Sequence, residues 1–210
     1  MSDPVNTIFY IAILIMSVVV HEVAHGIAAE RFGDPTARMA GRLTLNPLKH
    51  LDWFGSFLLP LILITAGVQP IVWAKPVPVN TNNVKSRTGR FVISAAGIAT
   101  NFFVAILGAL FLRAVAGIGI PVNHLAPSPM VLIVDSIIIV NILLGIFNLL
   151  PIPPLDGFKI LFTFLPARFE RYESSFDLYG IPLLFILLFA FGSYLMPVVL
   201  TIMSFLLGIS

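Results

Sequence analysis

The chain opens on an apolar run, Val5 to Val20, that holds no charged side chain, and then turns abruptly polar at His21, Glu22 and His25. An apolar stretch of about 20 residues is what crosses the hydrocarbon core of a bilayer as a helix. Further apolar runs follow at 54–73, 91–115, 130–150 and 181–209. Charge is scarce throughout: 10% of the 210 residues are Asp, Glu, Lys or Arg, against about 25% in a typical soluble domain. With 58% apolar residues and a mean hydropathy of +1.01, too little polar surface remains to cover a water-soluble globule. A disordered chain, a basic nucleic-acid-binding domain and an ordinary soluble enzyme are excluded on the same grounds. The expected fold is an all-α multi-pass membrane protein, and a chain of this length holds roughly four to six spans.

Basic residues set the expected orientation. Arg31, Arg38, Arg42 and Lys49 lie between the first and second runs, and Lys75, Lys85, Arg87 and Arg90 between the second and third. Residues 116–129 hold none. Both basic connections fall on the cytoplasmic side if 54–73, with Pro60, Gly67 and Pro70, enters the membrane and returns. Such irregular backbone is tolerated only where protein covers it; a plain crossing helix is the alternative. The re-entrant reading gives about four full spans, with the N-terminus outside. The chain then reads as one domain over 1–210: a helix at 5–29, a short β element at 41–50, the membrane segment 54–73, a helix at 91–115, a broken helix at 130–165 and a helix at 181–208. No basic residue precedes Arg31, so the first run reads as a retained span rather than a signal peptide. Cysteine is absent, which excludes disulfides and thiolate metal sites.

Ionisable groups inside a span are costly and mark function by default. In His21-Glu22-Val23-Ala24-His25 the two imidazoles are four residues apart and share a helix face. Two histidines so placed can hold one metal ion, with the intervening Glu as general base. A catalytic zinc takes a third protein ligand and keeps one position open. Spacing leaves His50 as a candidate and favours Asp156, which follows the helix-breaking run Pro151-Ile152-Pro153-Pro154-Leu155 and precedes Gly157. Asp156 is equally well placed to cap the apolar stretch that follows it. His124 falls in the loop assigned to the opposite side.

Together these residues resemble the site-2 proteases, intramembrane zinc metalloproteases that pair HExxH in a transmembrane helix with Asn-x-x-Pro-x-x-x-x-Asp-Gly. The second motif stands here as Asn148-Leu149-Leu150-Pro151-Ile152-Pro153-Pro154-Leu155-Asp156-Gly157. Residues 41–52 and 73–80 also resemble the small members of that family. Ala96-Gly97-Ile98-Ala99-Thr100-Asn101 resembles a Gly-Pro segment of it, with Ile98 in place of the proline. Trp53 likewise replaces a proline, and no stretch resembles the PDZ or CBS domains that larger members append. The resemblance implies His21, His25 and Asp156 as ligands of one zinc ion, Glu22 as catalytic acid/base and Asn148 as a polar group near the reacting carbonyl. It implies hydrolysis of a membrane-spanning protein substrate within a cell membrane, towards the cytoplasmic side, with the bilayer and no nucleic acid as partner.

A substrate must expose its carbonyls, so it must be extended at the bond that is cut. The alternation Gly41-Arg42-Leu43-Thr44-Leu45 reads as a short strand whose edge can receive such a segment, which makes Thr44 and Leu45 candidate substrate contacts. Asn101 is a further candidate near the site, or a hydrogen bond between helices. Gly97 and Gly108 read as packing glycines, and Asn141, seven residues before Asn148, as inward-facing. A transporter or channel with a buried metal or proton site is the competing class, but the internal repeat common in transporters is missing. A catalytically dead binding protein is weakened by the presence of His21, Glu22, His25 and Asp156 together.

Overall fold

The structure, a computed structural model, describes residues 4–51, 58, 61, 62, 65, 75–120, 122, 128–166 and 170–209. It is a helical protein with these elements: α1 (Pro4–Arg31), α2 (Thr36–Met39), α3 (Arg87–Gly117), α4 (Pro129–Leu149), α5 (Asp156–Phe164) and α6 (Glu170–Leu207). Among the described residues there is no sheet, and three helices are long and apolar enough to cross a membrane: Val5–Arg31, Arg87–Gly117 and Pro129–Leu149. The last apolar run lies in α6, which carries Pro182 and Pro197 and whose described apolar part, Gly192–Leu207, is shorter than a span. The membrane segment expected at 54–73 lies almost wholly outside the described residues, as does His124.

Local chemistry fixes where the helices begin. Ser86 Oγ accepts from Gly89 N at 2.9 Å at the start of α3, and Ser128 Oγ accepts from Val131 N at 3.4 Å at the start of α4, with Pro129 in the first turn. The expected broken helix at 130–165 is two helices. The chain leaves α4 before Pro151 and restarts at Asp156. Asp156 is the first residue of α5, after the N-cap Leu155, so its carboxylate is not spent on capping. A Cβ on Gly157 would lie 2.5 Å from the Leu149 carbonyl carbon and 2.5 Å from Leu150 O. Only glycine lets α5 fold back so tightly against the end of α4.

Helix α3 is the centre of the bundle and packs against α1, α4, α5 and α6. Lipid tails are as apolar as leucine, so helices in a bilayer associate by close packing rather than by hydrophobic expulsion. The interior reflects this. Ala105, Ala109 and Leu112 of α3 interlock with Val131, Ile138 and Ile142 of α4 and with Val199 and Met203 of α6. Gly108 supports the packing reading, since a Cβ there would meet Ile138 Cγ1 at 2.9 Å.

The strand expected at 41–50 is not formed. The segment is a run of turns ending in a 3-10 turn, Pro47–Lys49. Its polar groups are used locally: Arg42 donates to Lys75 O at 2.6 Å, and His50 Nε2 bonds Thr44 O at 2.9 Å. The stretch that lies against α1 on this side of the protein is residues 75–80, which form neither helix nor strand. Gly26 of α1 lets it approach, because a Cβ there would meet Val77 Cγ1 at 3.0 Å and Ala37 Cβ at 3.1 Å.

Candidate metal centre

Helix α1 places His21 and His25 one turn apart on its buried face, and α5 brings Asp156 to them from 131 residues away in sequence. Asp156 Oδ2 lies 3.0 Å from His21 Nε2 and 2.9 Å from His25 Nε2, and the two Nε2 atoms are 3.0 Å apart. All three side chains are buried, and this is the His/Asp grouping able to hold a metal among the described residues. The ligand atoms of a tetrahedral zinc site with bonds of 2.0–2.1 Å stand about 3.3 Å apart, close to this triangle.

The donor chemistry suits a cation. His25 Nδ1 faces Ile93 O at 2.6 Å. A carbonyl only accepts, so that nitrogen carries the hydrogen and a neutral ring turns the Nε2 lone pair inward. Opposite stands a carboxylate oxygen, another acceptor. Helix α3 supplies the space: a Cβ on Gly97 would sit 2.5 Å from His21 Nε2 and 2.5 Å from His25 Nε2. Glycine therefore keeps open the point towards which the ligand atoms turn. Lys159, one turn on in α5, donates to Asp156 Oδ1 at 3.0 Å and leaves Oδ2 for the centre.

The remaining candidate residues take distinct places. Glu22 is half-buried beside His21, and its Oε2 accepts from Val77 N at 2.7 Å. Pro76 and Pro78 on either side have no N–H, so Val77 is the backbone donor within 76–78. Asn148 is half-buried with its amide on Leu144 O at 3.0 Å, within its own helix. Thr44 has its carbonyl on His50 and its hydroxyl on Asn46 N at 3.2 Å, while Leu45 is exposed. His50 is buried in this loop and does not join the metal grouping. Asn101 is buried, and its Oδ1 meets His21 Nδ1 at 2.6 Å, behind the ligand rather than in front of it. Gly97, read from the sequence as a packing glycine, is where α3 comes close against the two histidines.

The sequence profile of peptidase family M50 matches residues 9–121 and 116–191. The chain belongs to peptidase family M50, the site-2 proteases. A Bacillus subtilis protein named "Putative zinc metalloprotease YwhC" is 36% identical over 197 residues, covering 92% of this chain and 86% of that one. "Putative zinc metalloprotease Rip2" of Mycolicibacterium smegmatis is 29% identical over 206 residues, 89% of this chain and 71% of its own. The Rip2 of Mycobacterium tuberculosis is 28% identical over 183 residues, 87% of this chain and 67% of its own. No solved structure matches. This member of the family is a metallopeptidase with apolar helices of membrane-spanning length. The His/His/Asp set and the family agree on zinc as its cofactor.

Proposed function

We propose that the protein is an intramembrane zinc endopeptidase that cuts membrane-spanning proteins near the cytoplasmic face of the bilayer. The observation that carries this reading is the convergence of His21 Nε2, His25 Nε2 and Asp156 Oδ2 on one point lined by Gly97. At 1.5 Å per residue, His21 lies about 15 Å from the Arg31 end of α1, and Gly97 about 15 Å from the Arg87 end of α3. The site therefore sits at membrane depth, reached from the end where Arg31, Arg38, Arg42, Lys75, Lys85, Arg87 and Arg90 gather. That charge distribution favours the cytoplasmic side.

His21, His25 and Asp156 hold the ion, which when bound lowers the pKa of a water molecule and polarises a carbonyl. Glu22 takes a proton from the attacking water and passes it to the leaving amine. The Val77 N–H holds the Glu22 carboxylate in place on one oxygen and leaves the other free for that proton. Asn148 lies at the end of α4, just before the turn into the Asp156 ligand, and a rotation of its amide away from Leu144 O gives a donor for the developing oxyanion. The substrate is extended where it is cut, and Thr44 and Leu45 on the loop beside residues 75–80 lie on its path. Asn101 serves the metal ligand rather than the substrate.

The test is Glu22→Gln. That variant retains one zinc ion and loses proteolysis of a transmembrane substrate by at least about a hundredfold, the low end of what a general base contributes. Cleavage at the wild-type rate would remove Glu22 from this role.

A further inference from the structure

Behind His21 runs a chain of polar side chains that the hydrolysis does not use. His21 Nδ1 meets Asn101 Oδ1 at 2.6 Å. Asn101 Nδ2 donates to Asn141 Oδ1 at 2.9 Å. Asn141 Nδ2 in turn donates to Ser17 Oγ at 2.9 Å and to the backbone carbonyl of Ile137 at 2.9 Å. Asn101 and Asn141 are each 1% exposed and Ser17 is 8% exposed. The chain crosses from α1 to α3 to α4 and back to α1, deeper in the membrane than the metal ligands.

An imidazole and a carboxamide are nearly symmetric in shape but not in chemistry. Either can be turned over without moving a neighbour, and only hydrogen-bond polarity decides which way it sits. Here the polarity has a fixed end. Ile137 O is a backbone carbonyl and can only accept, so the NH2 of Asn141 must face it. Asn141 Oδ1 then faces Asn101, which must answer with its own NH2. Asn101 Oδ1 is left towards His21, so His21 Nδ1 must carry the hydrogen, and in the neutral ring Nε2 is then the nitrogen that offers a lone pair to the centre. Turning over either amide sets acceptor against acceptor, or donor against donor, at the next joint, and moving the His21 hydrogen to Nε2 alone does the same at Asn101. Turning over all of them sets Asn141 Oδ1 against Ile137 O. His25 reaches the same state in one step, through Ile93 O. Ser17 sets nothing, because a hydroxyl both donates and accepts.

We infer that Asn141 is a positioning residue that fixes the tautomer of the neutral His21 ring through Asn101, holding the hydrogen on Nδ1 and turning Nε2 to the centre as the ligand atom. This rests on the metalloprotease reading for the cation, but the relay is a property of the protein itself and can be read without metal.

The experiment uses the full chain in detergent and measures zinc affinity by chelator competition, beside the thermal stability of the metal-free protein. Asn141→Leu, close to isosteric, weakens zinc about tenfold, and Asn101→Leu weakens it by about 10–100-fold, the range for an outer-shell partner of a metal ligand. The double variant binds zinc within about twofold of Asn101→Leu, because Asn141 acts only through Asn101. Ser17→Ala stays within about twofold of wild type, since Ile137 O still orients Asn141. Wild-type affinity in Asn141→Leu, or losses that multiply in the double variant, would overturn the relay. Should these variants fail to fold, 15N magic-angle-spinning spectra of histidine-labelled, metal-free wild type read the tautomer directly: a protonated Nδ1 with a bare Nε2 on His21 supports the relay, and a bare Nδ1 refutes it. A wild type that binds no zinc would instead count against the metalloprotease reading, with the tautomer still deciding the relay.

Discussion

Gly97 shows how much one hydrogen atom in place of a methyl group can decide. Its missing Cβ would stand 2.5 Å from each of the two histidine Nε2 atoms, about where a metal ion belongs. Gly97→Ala therefore drives a methyl group into the site and against both histidine rings. The α3 backbone tolerates alanine, so the rings rather than the helix give way, and the variant loses zinc and proteolysis together; metal analysis of the purified variant checks this, and a full complement of zinc would show that the ion binds elsewhere. The grouping of His21, His25 and Asp156 was legible in part: the helical i, i+4 pair states its geometry locally, whereas spacing alone left His50 open as the third member and Asp156 open as a cap. The roles of Gly97 and Asn141 were not. Both depend on what α3 and α4 bring to α1 across 72 or more residues of chain (Gly97 to His25), and neither residue type has a motif of its own. Asn148 and Asn141 share a helix face by spacing. Yet Asn141 is buried in the relay, while Asn148, in the last turn of α4, binds its own helix through Leu144 O.

At the scale of elements, the end of α1 is tied to the stretch that holds Glu22. Asp34 is fully buried just past α1, without a cationic partner in its hydrogen bonds. It accepts from Thr36 Oγ1, from Asn80 N at 2.7 Å, from Asn83 Nδ2 at 2.8 Å and from Thr36 N at 3.2 Å. Burial pushes its pKa up, but the donors from Thr36, Asn83 and Asn80 outweigh that and hold it below the ordinary carboxylate value. The sign follows from linkage. Stabilisation from this group is complete above the unfolded value of about 3.9 and is lost as pH falls through the lower folded value. Asp34→Asn turns an NH2 group towards donors and costs about 1–3 kcal/mol. Thermal melts between pH 3 and 7 should show the wild type losing stability on acidification and the variant losing less; equal acid sensitivity would separate Asp34 from the effect. The strand read from the alternation at 41–45 fails at this scale too. Alternation predicts a strand only where a partner edge is available, and here Arg42 and His50 spend the local carbonyls and donors on turns and on Lys75.

At the scale of the molecule, the scarcity of charge was enough to read a membrane protein, and the three long apolar helices agree. The packing of those helices around α3 was not legible, because lipid-facing and protein-facing sides of an apolar helix look alike in composition. Orientation is a separate claim and has its own measurement. The chain holds no cysteine, so single cysteines report cleanly. Lys85→Cys, just before α3, should react with a membrane-impermeant thiol reagent only from the cytoplasmic side, and Ile118→Cys, just after it, only from the outside. The reverse pattern would place the catalytic end outside.

The convergence of His21, His25 and Asp156 on one zinc ion is tested most directly by zinc-edge X-ray absorption on the purified wild type and Asp156→Ala. The expected wild-type result is one zinc per chain with two imidazoles and oxygen ligands at about 2.0–2.2 Å, and in Asp156→Ala a loss of zinc or of one oxygen ligand. An unchanged zinc content with an unchanged coordination shell in Asp156→Ala would contradict it.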